Sequence, residues 1–231
     1  MASKASEPSA EPSEPRRRAA RGQGAALHGE VLHAAMDLLR ETGSEESVSL
    51  RAVATRVGVS VPSIYLHFAD KQALLDAVCG EVFEQLHVVM KNASADASNP
   101  WEALRAQGVA YVHFALANPE HYRIVMMRGP SEHDPSDEIA SGAFGHLLDG
   151  VVACIGLGIL EGDPIELGMK LWATAHGIAS LLIAKPRFPW PPVDELVDST
   201  MCMAGTGLAA GSRLPDRLPP AELVERLDKL R

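Results

Sequence analysis

The chain is poor in cysteine and in aromatic residues and has no long uninterrupted apolar run, and each shortage removes a class of protein. Its three cysteines in 231 residues, Cys79, Cys154 and Cys202, stand dozens of positions apart. That spacing and odd number fit neither a disulfide framework nor a closely spaced zinc site, so they read as reduced core thiols. The longest apolar run is the ten residues 151–160, closed by Asp149 before it and Glu161 after it. A bilayer-spanning helix needs about 20 such residues, so no transmembrane segment is expected. Residues 1–15 are mostly Pro, Ser, Ala and Glu, with no run of large apolar side chains. They cannot supply the apolar middle of a secretory signal, and the expected location is the cytoplasm.

Catalytic signatures are missing as well. There is no Gly-x-Ser-x-Gly elbow, and His113, His121, His146 and His176 form no pair with the i, i+4 spacing of a His-Glu-x-x-His zinc motif. Gly156-Leu157-Gly158 and Gly22-Gln23-Gly24 lack the third glycine and the preceding strand of a phosphate loop. No metal, no cofactor and no enzymatic activity are expected. No segment alternates with period two, so no strand is expected either.

What is present is enough apolar content for a real core: 46% hydrophobic against 22% charged residues. The net charge of -9 hides an uneven distribution: residues 1–15 carry -2, residues 16–75 carry +2 and residues 76–231 carry -9. Only the N-terminal third favours a phosphate backbone, and an acidic C-terminal body would be repelled from one unless held away.

Helical periodicity begins at Leu27 and runs through Val31, Ala34, Ala35 and Leu38 to a stop near Thr42 and Gly43. Ser49 stands at an N-cap position before Leu50, Val53, Ala54 and Val57, and Gly58 stops that second helix. Ser60 caps a third helix, in which Ile64 and Phe68 point inward. Asp70 caps a fourth with the stripe Leu75, Val78, Val82, Leu86 and Val89, ending around Asn92. Further helices are predicted over 101–117, 121–127, 136–155, 164–184 and 193–210, with a last amphipathic turn or two over 221–230. The predicted architecture is all-α. Residues 1–24 form a disordered tail ending in Arg16, Arg17, Arg18 and Arg21. Residues 25–75 form a three-helix domain, 76–211 a larger helical domain and 212–231 a C-terminal tail.

Two short helices joined by the turn Gly58-Val59-Ser60 have the spacing of a helix-turn-helix, whose second helix enters the DNA major groove. With Ile64 and Phe68 buried, Val61, Pro62, Ser63 and His67 fall on the outer arc, most of them small enough for the backbone to approach base edges. Tyr65 and Lys71 flank that arc and suit phosphate oxygens, where they position rather than specify. Ser49, Arg51 and Ser60 complete the expected DNA-binding set. The arginines from Arg16 to Arg21 are either an arm for the minor groove or a solvated linker.

The run SLRAVATRVGVSVPSIYLHFADKQALL, residues 49–75, resembles the DNA-binding segment of TetR-family transcriptional regulators through Gly58-Val59-Ser60, Tyr65-x-His67-Phe68 and Lys71. The resemblance implies that Tyr65, His67 and Lys71 contact the DNA backbone while Val61, Pro62 and Ser63 lie near base edges. Leu66 and Ala52 depart from the residues common in the family, so no operator sequence carries over. LWATAHGIASLL, with Trp172, His176 and Gly177, and AYVHFALANPEHYRIVM upstream of it resemble the subgroup with a WHG-type effector domain. That resemblance implies a homodimer through residues 164–184 and 193–210, a palindromic operator and a ligand pocket in each subunit. The apolar character of residues 164–184 on nearly every side points independently to burial on more than one side.

The expected ligand-binding residues are Tyr111, Phe114, Tyr122, Met126, Phe144, Trp172 and His176, about half of them facing a cavity. The resulting expectation is a repressor released from its operator by a small, apolar or aromatic molecule. The alternatives are a constitutive DNA-binding dimer without a ligand, and a small helical enzyme using His176 as a general base.

Overall fold

The computed structural model describes residues 23–127, 142–211, 213 and 219–229, and these are helical throughout, without a strand among them. The expected tail over 1–15, the basic arm from Arg16 to Arg21 and the expected helix start at Ser136 lie outside the described residues. Two compact units divide between Ala77 and Val78, inside one continuous helix.

The first unit holds α1 (Gln23–Thr42), a 3-10 turn (Glu45–Ser47), α2 (Leu50–Val57), α3 (Val61–Tyr65) and the start of α4 (Lys71–Ser94). Its core is the apolar stripe of α1, Val31, Ala35 and Leu39, with Val48, Val53, Ile64 and Phe68. Local chemistry sets the boundaries. Ser49 Oγ accepts the Ala52 N–H at 3.1 Å and opens α2. Gly58, at φ 77°, closes it in the left-handed conformation, and its N–H and that of Val59 both return to the Ala54 carbonyl. Asp70 Oδ1 accepts the Ala73 N–H at 2.8 Å and starts α4. Ser60 precedes α3 as expected but caps nothing with its side chain, because its hydroxyl is 2.8 Å from that of Ser63. Arg56 grips Glu41 through two bonds, of 2.8 and 2.5 Å, and so ties α2 to α1.

The second unit contains the rest of α4, then α5 (Pro100–Ala117), α6 (Pro119–Met127), α7 (Ala143–Gly156), α8 (Pro164–Ala184), α9 (Val193–Gly211) and α10 (Pro220–Asp228). Helix α5 is central and packs on α6, α7, α8 and α9, while α8 packs on α7 and α9. Asn99 and Asp163 cap α5 and α8 by accepting the N–H of Glu102 and Glu166, each with proline opening the helix. Glycines set the closest approaches. A Cβ at Gly108 would lie 2.8 Å from Met201 Sδ, and one at Gly205 would lie 2.9 Å from the Trp101 ring. Arg105 on α5 is bonded to Asp198 on α9 across the same contact.

Three expectations need correction. Val89 is exposed and Met90 is buried, since the α-helical period carries the inward stripe of α4 from Leu86 to Met90. Cys202 is exposed whereas Cys79 and Cys154 are buried: it lies one residue past buried Met201, turned off the stripe of α9. Within the single chain helix α8 buries one side and leaves Ile165, Met169 and Leu181 exposed on the other. By length and composition α8 is also apolar enough to cross a membrane. The run-length argument missed this because Glu166 and Lys170, which pair at 2.6 Å, interrupt the sequence run. Its inner face supplies Leu167, Ala175, Ile178, Ala179, Leu182 and Ile183 to the core of the second unit, and a core helix passes the same test.

Candidate functional site

The first candidate surface is built on the turn between α2 and α3. Ile64 and Phe68 are buried, and burial of two such side chains contributes about 3–6 kcal/mol, which fixes the roll of the short helix. That roll leaves Pro62 exposed and Val61 and Ser63 half-exposed at the N-terminal end of α3. Tyr65 and Leu66 project furthest, at 55% and 83% exposure. Arg51 and Ser60 are exposed as well, while the Ser49 hydroxyl is taken up by its cap.

Two of the expected contact residues sit differently from a free outer arc. His67 is half-buried and edge-on to His28 of α1 at 6.0 Å, and His28 stacks on Phe68 at 4.7 Å. The Lys71 ammonium donates to the Glu45 carbonyl at 2.5 Å, closing the 3-10 turn against the start of α4. An ammonium carries three donors, so that bond leaves two for an anion. Sequence spacing could not supply either contact, because each joins residues 26 or more positions apart.

The second candidate site is a cavity of about 60 Å³ enclosed by α4, α5, α7, α8 and α9 of the second unit, with Met126 of α6. Of the seven expected ligand residues, Tyr111, Met126, Phe144 and Trp172 line it. Phe114 instead faces a surface groove beside Val88 and His113, and Tyr122 and His176 stand behind the wall. Phe83, Met90, Trp101, Arg105, Met201 and Cys202 also line the cavity and were not expected. A partial signal existed: Leu104, Gly108 and Tyr111 recur at i, i+4, i+7 on α5, and the glycine marks a close approach.

Behind the wall runs a chain of hydrogen bonds. The Trp172 indole N–H donates to Tyr111 Oη at 3.3 Å, Tyr111 Oη is 3.3 Å from Tyr122 Oη, and Tyr122 Oη is 2.6 Å from His176 Nδ1. His176 Nε2 is 3.3 Å from Ser180 Oγ. Burial pushes the Tyr111 hydroxyl far above the ordinary phenol range, and the neighbouring Tyr122 hydroxyl adds to the effect. Burial also raises Tyr122 and lowers His176, so the whole chain is neutral near pH 7. One turn before Tyr111 on α5, Gln107 is buried, and its Oε1 has no hydrogen-bond partner among the described residues. The ring partners of His176 are a phenol on Nδ1 and a serine hydroxyl on Nε2.

Comparison with known proteins places both units. Residues 31–78 match the family described as bacterial regulatory proteins, tetR family, and residues 104–204 match the tetracyclin repressor-like C-terminal domain. The class D tetracycline repressor protein of Escherichia coli is 32% identical over 98 residues, covering 42% of this chain and 38% of that protein. The chain thus spans about two-fifths of that repressor, and 26% of the class A protein from transposon 1721. The uncharacterized HTH-type transcriptional regulator YobS of Bacillus subtilis (strain 168) is 28% identical over 68% of this chain and 79% of its own length. Among solved structures, a protein of unknown function from Rhodococcus sp. RHA1 superposes with a TM-score of 0.71 at 29% identity, over 85% of this chain and 100% of that one. A TetR-family transcription regulator from Marinobacter aquaeolei VT8 shares the fold with a TM-score of 0.64 at 19% identity, over 82% and 98% of the two chains. With its N-terminal unit matched by the one family description and its C-terminal unit by the other, the chain belongs to the TetR family.

Proposed function

We propose that the protein is a DNA-binding transcriptional repressor that leaves its operator when a small molecule occupies the cavity of the second unit. The observation that carries this reading is α4: one continuous helix begins at Lys71, beside the helix-turn-helix, and places Phe83, Leu86 and Met90 in the cavity wall. A ligand that reshapes that wall acts on the helix whose first turn holds the 3-10 turn of the first unit through Lys71. In this reading Val61, Pro62 and Ser63 meet base edges, and Tyr65, His67, Lys71, Ser49, Arg51 and Ser60 meet or orient the phosphate backbone.

Function as a homodimer is part of the proposal. Along α8, Ile165, Met169, Ala173, Gly177 and Leu181 recur every fourth residue; the large members are exposed, and a Cβ at Gly177 would meet nothing within 4 Å. Such a row, small in the middle, suits packing against its own symmetry mate at a steep crossing angle. Exposed Met203 and Gly207 extend the surface onto α9. A two-fold dimer reads two half-sites of a palindrome in register with the DNA repeat, so a small change in their separation costs contacts in both halves. Trp172, His176 and Gly177 support the WHG-type reading of this domain, and a repressor that binds chromosomal DNA works in the cytoplasm.

The test is operator affinity measured with and without a panel of apolar and aromatic compounds. Loss of affinity with a compound that also raises the melting temperature supports the reading. The small volume of the cavity favours a second reading, a constitutive dimer without an effector, for which affinity stays the same across the panel.

A further inference from the structure

We propose that the cavity of the second unit selects aromatic effectors carrying a hydrogen-bond donor, an O–H or N–H, and that the Tyr111 oxygen is the acceptor that reads it. The inference rests on the cavity being the effector site and names the chemistry of that effector.

The wall is apolar and ring-rich: Phe83, Trp101, Tyr111, Phe144 and Trp172 contribute aromatic faces and Leu86 and Leu147 aliphatic ones, which favours a planar guest. Its cation, Arg105, is already bonded to the Asp198 carboxylate and lies 3.8 Å from Glu102, so it offers no uncompensated charge to an anion. The selective polar group is therefore the one inside the hydrogen-bond chain, and the direction of that chain decides what it can accept.

The shortest bond sets the direction. Between Tyr122 Oη and His176 Nδ1, 2.6 Å apart, the phenol O–H is the more acidic donor, which leaves the neutral imidazole to donate from Nε2 to Ser180 Oγ. The Tyr122 oxygen then accepts from Tyr111, whose only hydrogen is thereby used. One Tyr111 lone pair takes the Trp172 N–H. Met126 Sδ, a weak acceptor 4.0 Å from the Tyr111 hydroxyl, competes with Tyr122 for the Tyr111 hydrogen and has none to give, so the other lone pair remains for a guest at the cavity wall. A guest that brings an O–H or N–H to the Tyr111 oxygen makes a bond that an ether or a carboxylate cannot. A carboxylate further loses its hydration without gaining a free cation.

The cavity must widen to admit a ring, since an engineered cavity that binds benzene measures roughly 150 Å³. Met90, Met126 and Met201, unbranched thioethers in the wall, give it the side chains to do so.

The experiment is titration calorimetry of the full-length protein with phenol, with its methyl ether anisole and with benzoate. These probes share one ring and differ in the donor. The expected result is phenol binding tighter than anisole by roughly two- to tenfold, with benzoate weakest. In Tyr111→Phe that preference should vanish, with a cooperative thermal unfolding transition showing the variant to be folded. Anisole binding as tightly as phenol to the unsubstituted protein would overturn the donor selectivity and leave the effector cavity standing. A phenol preference that survives Tyr111→Phe would overturn the assignment to Tyr111. Absence of binding by all three, by calorimetry and by thermal shift, would overturn both this inference and the effector reading of the cavity.

Discussion

The hydroxyl of Tyr122 on α6 lies 2.6 Å from Nδ1 of His176 on α8, and this contact joins two helices that are 54 residues apart in the chain. Tyr122 is buried, so removing the hydroxyl leaves His176 and Tyr111 each short of a partner. We expect Tyr122→Phe to lower stability by about 1–3 kcal/mol, the usual cost of unsatisfied buried groups, measured by urea unfolding. Stability unchanged by the substitution would show that the chain of bonds is not a structural element.

The same burial sets a pH window. Desolvation holds His176 and His146 below their ordinary value of 6.5 in the folded protein. A depressed folded pKa means that the unfolded chain binds protons first, so this contribution to stability is intact above about 6.5 and is lost as pH falls through the folded values. Tyr111 and Tyr122 are raised above 10.0, so their contribution is intact below 10.0 and is lost as pH rises through the folded values. Unfolding free energies measured from pH 5 to 10 should fall at the acid end, and replacing both histidines by glutamine should flatten that limb. A limb of undiminished slope in the double variant would place the acid sensitivity elsewhere.

Two glycines should respond oppositely to a side chain. Gly205→Ala sets a methyl 2.9 Å from the Trp101 ring, a stiff neighbour between α9 and α5, and should cost about 1–3 kcal/mol by overpacking. At Gly177 the space is open within the chain, so Gly177→Leu should leave each protomer folded but obstruct the proposed α8 contact between copies. Sedimentation velocity is expected to show a shift toward monomer. A dimer as tight as the unsubstituted protein's would place the interface on another face.

On the DNA-binding face, Tyr65→Phe removes an exposed hydroxyl proposed to reach phosphate, and Ser63→Ala a hydroxyl proposed to lie near base edges. The first should weaken binding across all sequences. The second should change base preference at one position by about 1–3 kcal/mol. Equal loss of specificity from both variants would contradict this division of roles.

These two sites were legible in the sequence to different depths. The segment from Ser49 to Lys71 could be read almost residue by residue because local chemistry fixes it: a cap at Ser49, a left-handed glycine at Gly58 and an inward pair in Ile64 and Phe68. The tie of Lys71 to Glu45 and the lean of His67 on His28 could not be read, since each depends on where α1 and the 3-10 turn arrive. In the second unit the helices were visible, but the cavity was not fully so. Tyr111, Met126, Phe144 and Trp172 line it as expected by size and spacing. Arg105, Met201 and Gly205 reach the wall through the packing of α9 on α5, which periodicity within one helix does not encode. Tyr122 and His176 were singled out as ligand contacts, and the structure places them behind the wall, one and two hydrogen bonds from Tyr111.

The central claim is that a sequence-specific DNA-binding dimer is switched through its second unit. The most direct measurement is binding of the purified protein to a duplex from its own upstream region, titrated with salt against a random-sequence competitor and repeated with a compound that raises the melting temperature. The account predicts saturable binding that survives the competitor, two protomers or a multiple of two per site, and release by the compound. Binding that the random competitor abolishes, or that is indifferent to every stabilising compound, would contradict it.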